Sequence, residues 1–144
     1  MHEVLVRYVH FLGIIILSSA LVSEHILLSV DTSVKKFKRL VVIDAIFGIS
    51  AILALTAGLL LWFVVGKPSG FYTHNWIFHI KLTVFALIAL LSIYPTVFFI
   101  RNRNKTIEQV IVPKSVIVTI RAELTLLLFM PLFAVFMAHG FGLR

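Results

Sequence analysis

The chain has no cysteine, and it has few acids: six Asp and Glu stand against 13 Lys and Arg, and charged residues make up 13% of 144 positions. The first absence excludes a disulfide framework and thiolate metal ligation. It also leaves the redox state of the compartment unreadable from cysteine use. The scarcity of charge excludes an ordinary soluble domain, in which about a quarter of the residues are charged. Common soluble-enzyme motifs are missing as well: there is no phosphate-cradling glycine loop, no nucleophile elbow and no H-E-x-x-H. What the chain does have is apolar surface, with 60% hydrophobic residues and a mean hydropathy of +1.08. So much of it belongs in a bilayer. The formal net charge of +7 does not point to nucleic acid, because the cations are concentrated in two short segments flanked by apolar runs.

The length makes one domain, residues 1–144, the expectation. Crossing the hydrocarbon as a helix takes about 20 apolar residues. Four segments qualify, at about 4–28, 40–65, 75–100 and 115–141. Runs this long and unalternating exclude barrel strands, so helices are the remaining way to span lipid. The first run is too long for a signal-peptide core, starts with Glu3 and ends in Glu24 and His25 rather than a cleavage site. It is therefore expected to stay as the first span. Loop one carries Lys35, Lys36, Lys38 and Arg39; loop three carries Arg101, Arg103, Lys105 and Lys114; loop two has Lys67 alone. Positive residues stay on the cytoplasmic side, which puts loops one and three inside and both termini outside. Trp62, Tyr72 and Trp76 then fall at the outer interface, where such rings anchor. Gly66, Pro68 and Gly70 predict a tight turn for loop two. Short loops make neighbours antiparallel. The expected fold is all-α, an up-down four-helix transmembrane bundle.

The titratable residues in these spans are not scattered. At 100° per residue, His10, Gly13, Leu17, Ala20 and Glu24 share one face of span one. In span two, Asp44 continues a stripe of Gly48, Ala51, Ala54 and Gly58, small residues that let helices approach closely. Alternating span directions sort the polar groups by depth. Arg7, His10, His79, Lys81 and His139 fall in the outer half. Glu24, His25, Asp44, Tyr94, Arg121 and Glu123 fall in the inner half. Ionisable groups in a membrane are functional candidates, because each costs several kcal/mol to insert. The plainer alternative is that they pair and fix helix register, Arg121 with Asp44 or Glu24. Glu123, two residues from Arg121, then needs another partner, and Arg7 at the membrane edge is expected to snorkel. His10 and His79 suit a b-type haem clamped between facing helices; His10, His79 and His139 suit copper or zinc, with His74 as a further candidate. The plain alternative for each is a hydrogen-bonded interfacial histidine. Lys81 points away from His79 and either meets an anion, such as a propionate, or snorkels outward. Pro95 and Pro131 interrupt the hydrogen-bond ladders of spans three and four, which serves packing as well as any cofactor.

Four short motifs carry a resemblance over nearly the whole chain. They are R-x-x-H (Arg7, His10), W-x-x-x-x-K-L (Trp76, Lys81, Leu82), R-x-E-L (Arg121, Glu123, Leu124) and the tail M-A-H-G-F-G (Met137 to Gly142). With the length and four spans, the chain resembles a family of uncharacterised bacterial inner-membrane proteins. More distantly it is similar to the CopD-like membrane proteins and to HemJ, the membrane-embedded protoporphyrinogen oxidase. That likeness implies a bacterial plasma-membrane location and haem or porphyrin redox chemistry. It makes His10 the haem b ligand and Arg7 its basic neighbour, puts Lys81 and Arg121 at the family's charged positions, and makes Glu123 the acid. HemJ's N-E-x-P segment is R-A-E-L here, without the asparagine or the proline.

Three functions follow as expectations. The first is a haem b or porphyrin protein with a redox role, its macrocycle held by His10 and His79 and its propionates neutralised by Arg7 and Lys81. The second is a small transporter or metal-handling protein, with a proton path through Glu24, Asp44, Arg121 and Glu123; four spans favour an oligomer for that task. The third is a structural or assembly subunit of a larger membrane complex. All three share lipid as a partner, and none involves nucleic acid.

Overall fold

The computed structural model describes residues 1–106 and 108–143. In chain order it contains α1 (His2–Leu27), β1 (Asp31–Ser33), α2 (Val34–Leu60), a π-helical turn over Leu61–Val65, the short α3 (Ser69–Thr73), α4 (Trp76–Asn102), β2 (Gln109–Ile111) and α5 (Lys114–Ala138). Four of these, counting α2 with its π turn as one, are long and apolar enough to cross a membrane. They pack as antiparallel pairs into a membrane bundle. α1 lies closely on α2 and α4 on α5, and the contact between the two hairpins is sparser. Between 17% and 33% of each span's most apolar stretch is buried within the protein. The rest needs lipid as its solvent.

Polar residues inside the helices satisfy themselves locally. Ser18, Ser19, Ser23, Thr56, Thr83, Thr119 and Thr125 each donate a hydroxyl to the carbonyl one turn earlier. A hydroxyl used in this way does not demand an interior partner, which is why these residues tolerate lipid-facing positions.

The two basic loops are more structured than the sequence suggests. β1 and β2 pair antiparallel, with Thr32 opposite Val110. The ribbon is extended by Val34 N–H donating to the Glu108 carbonyl at 3.0 Å and Val112 N–H to the Val30 carbonyl at 2.8 Å. It closes one end of the bundle. Thr32, Val110 and Val112 are buried there with Phe37, Leu40, Phe99, Val116 and Ile120. The Phe37 ring meets Phe98 and Phe99 at centroid distances of 5.9 and 5.7 Å. Because α2 begins at Val34, the cluster Lys35–Arg39 lies on its first turns and not in a loop. Ser33 starts the helix by accepting from the Lys36 N–H. The helix thus continues past its apolar part because Phe37 and Leu40 have a core to enter.

The opposite end differs from a tight turn. The chain leaves the π turn at Gly66, where a Cβ would run into the Leu61 carbonyl, and then forms α3. Trp62 packs edge-on against Phe78 at 4.8 Å and donates its indole N–H to Thr73 Oγ1 at 3.2 Å. Asn75 is fully buried there. It caps α4 by accepting from the Ile77 N–H and donates Nδ2–H to the Phe141 carbonyl at 3.1 Å. α5 stops at Ala138, and the tail turns back through Gly140 and Gly142, both at positive φ.

Candidate functional site

Three acids meet in the half of the bundle nearer the ribbon. Glu24 projects from α1, Asp44 from α2 and Glu123 from α5, and each is at most 5% exposed. Thr96 on α4 adds a hydroxyl, which donates to Asp44 Oδ1 at 3.1 Å. All four spans therefore contribute to one polar cluster. The Glu24, Asp44 and Glu123 carboxyls lie within electrostatic reach of one another. Two oxygens remain unpartnered among the described residues, Glu24 Oε1 and Glu123 Oε1. Buried polar atoms in native proteins rarely lack a partner, so each such orphan calls for an explanation.

Helix order places apolar layers on both sides of the cluster. Leu17, Leu21, Phe47 and Ile88 lie toward the loop-two end. Phe37, Leu40, Phe99, Val116 and Ile120 lie toward the ribbon. The carboxyls lie between two apolar layers at the junction of the two hairpins.

Arg121 does not join them. It is exposed on the outer side of α5, so the expected pairing with Asp44 or Glu24 is not formed. The cause is the helical period: two residues turn the chain by about 200°, and the bundle takes Glu123 inside. The salt bridge found among the described residues is Arg7–Glu3, on one exposed helix face. The three acids thus have no salt-bridged cation there.

The histidines are similarly divided. His10 lies half-buried on the α1–α2 seam and shares its Nδ1 with the Ala54 carbonyl at 2.7 Å. A Cβ on Gly58 would stand 3.1 Å from its Cε1, so the small residue there makes room for the ring. Lys81, partly buried on α4, is within electrostatic reach of His10. His79, His139 and His74 are exposed. Each lies against a nearby backbone carbonyl, of Thr73, Val135 and Gly70 at 2.7, 3.0 and 3.0 Å. No group of three His, Asp or Glu side chains disposed to hold a metal ion occurs among the described residues. His10, His79 and His139 do not form such a group among those residues, and His79 Nε2 lies against the Thr73 carbonyl. The Thr73, Val135 and Gly70 carbonyls each lie only four to six residues earlier in the chain than their histidines, a local contact that holds the ring near its own helix end. Tyr94 is likewise exposed and bonded to Ser115 Oγ at 2.7 Å.

Two participants were not found from the sequence. Thr96 follows Pro95 in an otherwise apolar run, and nothing in its spacing marks it as the partner of Asp44. The Ala54 carbonyl that receives His10 is backbone and has no sequence signature. Glu24 and Asp44 were legible from their helix faces.

No curated protein and no solved structure matches the chain. Neither comparison extends the kinship to the CopD-like proteins or to HemJ. A family model does match residues 2–142, essentially the whole bundle with its acids and its histidine seam. The chain belongs to the family described as predicted membrane protein DUF2214.

Proposed function

We propose that this integral membrane protein handles protons, with Glu24, Asp44 and Glu123 as the groups that take them up and release them. One observation carries the reading: three carboxyls from three helices are buried together, and among the described residues they have no salt-bridged cation and two of their oxygens are unpartnered. A cluster meant to fix helix register would place opposite charges or donors on those oxygens. Like charges without a counterion are strongly disfavoured in a low-dielectric interior. Protons are the smallest neutralisers that can come and go. Thr96 holds Asp44 in place, and the sparse contact between the hairpins is where water would enter to connect the cluster with either side. The test is proton flux into liposomes carrying the purified protein and a trapped pH-sensitive dye, driven by a potassium diffusion potential. Flux no greater than in protein-free liposomes would end this reading.

Within the same reading, the ribbon end faces the cytoplasm of a bacterial cell and both termini face outward, since the cations gather at that end. The absence of native cysteine makes this simple to check. A membrane-impermeant maleimide added to intact spheroplasts should label Lys67→Cys and spare Lys105→Cys; the opposite pattern reverses the orientation.

A second reading keeps haem b on His10, in the redox role that the HemJ likeness implies. Its support is that Nδ1 is tied to a backbone carbonyl while Nε2 has no protein partner among the described residues, as is usual for a ligating imidazole. Copper or zinc would use the same nitrogen. With His79 Nε2 engaged by the Thr73 carbonyl, the macrocycle would be held by the His10 imidazole, with Lys81 placed to meet a propionate. The detergent-purified protein should then be red, with a Soret band that shifts on dithionite reduction and disappears in His10→Ala. A flat visible spectrum removes this reading and leaves the first untouched.

A further inference from the structure

The four spans form a ring. Their backbones approach closely along α1–α2, α2–α4, α4–α5 and α5–α1, and along neither diagonal among the described residues. Three of these edges carry a hydrogen bond from span to span. His10 shares Nδ1 with the Ala54 carbonyl across α1–α2, Thr96 donates to Asp44 across α2–α4, and the Tyr94 hydroxyl meets Ser115 Oγ across α4–α5. The tail ties that last edge again, where Trp76 N–H donates to the Gly142 carbonyl at 3.2 Å. The fourth edge, α1–α5, is spanned by no loop, and among the described residues no hydrogen bond or salt bridge joins the two helices. Its two ends differ. At the ribbon, Val112 N–H donates to the Val30 carbonyl, which ties the start of α5 to the end of α1. Toward the other end, no residue of α5 between Glu123 and Met137 is fully buried, and Pro131 interrupts the helical ladder there. The two unpartnered oxygens, Glu24 Oε1 and Glu123 Oε1, belong to these same two spans.

We infer, resting on the proton reading above, that α1–α5 is the edge that opens, and that water and protons reach the acids along it from the loop-two side while the other three edges stay closed. In lipid, spans are held together by packing and by hydrogen bonds between helices, since the bilayer is as apolar as their side chains. Parting α1 from α5 breaks no such bond and shows apolar side chains to the solvent they already have. Parting any other edge leaves a polar group without its partner in a medium that cannot replace it. The α2–α4 edge is the spine of the movement, held by loop two, by Thr96 on Asp44 and by Trp62 against Phe78. Leu17 and Leu21 belong to the apolar layer on the loop-two side of the acids. Both are carried by α1, so they move aside with it. Water in the opened edge can donate to Glu24 Oε1 and Glu123 Oε1, and the ribbon holds the opposite end shut.

The experiment uses the full-length protein in the same proteoliposomes, where the lack of native cysteine allows chosen spans to be joined. Leu17→Cys with Met130→Cys, and Leu21→Cys with Leu126→Cys, are level with each other on antiparallel helices, at equal rise from Glu24 and Glu123. Oxidation of either pair by copper phenanthroline should bring flux down to the level of protein-free liposomes, and reduction should restore it. Tyr94→Cys with Ser115→Cys is the control. The native side chains touch across α4–α5 at 2.7 Å, and a short bismaleimide in place of the tyrosine ring should join them without changing flux. Full flux with α1 and α5 joined would overturn the inference and leave the proton reading standing. An equal loss in the control would also overturn it, because the movement would then not belong to one edge. No cross-link in either α1–α5 pair would show that the two spans do not lie side by side there, with the same consequence. Absence of flux from the unmodified protein would instead end the proton reading, and this inference with it.

Discussion

Glu123→Gln will lower proton flux into the proteoliposomes by roughly tenfold or more, as expected when a titrating group of an intramembrane relay is lost. Glutamine keeps the volume and the branched end of the side chain, so the packing around it is preserved. It cannot bind or release a proton. Glu123→Asp keeps the chemistry and should retain part of the flux, reduced because the carboxyl is one methylene shorter. Thr96→Val removes the hydroxyl held by Asp44 Oδ1 and leaves all three acids in place, so its loss should be smaller than that of Glu123→Gln. Stability separates this reading from a purely structural one. Glu123 Oε1 is buried without a partner among the described residues, so replacing the acid by an amide should leave thermal stability equal or higher, because a buried unpaired acid contributes little to the fold. A register device would behave the other way, with stability falling and flux unaffected. Unchanged flux in Glu123→Gln, Glu24→Gln and Asp44→Asn together would leave the cluster without a transport role.

Gly13→Leu will separate α1 from α2 and destabilise the protein by about 1–3 kcal/mol, the usual range for overpacking a close contact. A Cβ at Gly13 would already stand 3.1 Å from Ala54 N and 3.3 Å from Ala54 Cα. Three further carbons have nowhere to go unless the helices part. The effect should extend beyond stability, because the Ala54 carbonyl at that contact is the group His10 engages. Gly48→Leu is the control. Among the described residues nothing lies within 4 Å of a Cβ at Gly48, and its substitution should change stability by no more than about 0.5 kcal/mol, as for other positions without close neighbours. Thermal unfolding of both variants in one detergent provides the comparison. Equal effects would mean that α1 and α2 are not closely packed at Gly13.

Those two glycines mark how far the sequence reaches. A stripe of small residues along span two is visible as Gly48, Ala51, Ala54 and Gly58, and spacing alone treats them as equivalent. The packed structure divides them: Ala54 and Gly58 carry α1 and His10, while Gly48 faces open space. Spacing gives an angle around one helix axis, and only the neighbouring helix determines which part of that face is covered.

The sequence by itself determined that this protein is a four-helix membrane bundle and that Glu24 and Asp44 point inward. Long apolar runs admit few other outcomes in lipid, and the helical period places residues four apart on one side. The tertiary structure alone decided that Glu123 enters the cluster while Arg121 turns out, that Thr96 completes it, and that His79 and His139 lie against nearby carbonyls. It also decided that the two basic segments join through a β-ribbon, Asp31–Ser33 with Gln109–Ile111. Three-residue strands far apart in sequence have no period to detect, and their pairing forms only once the hairpins bring the two ends together.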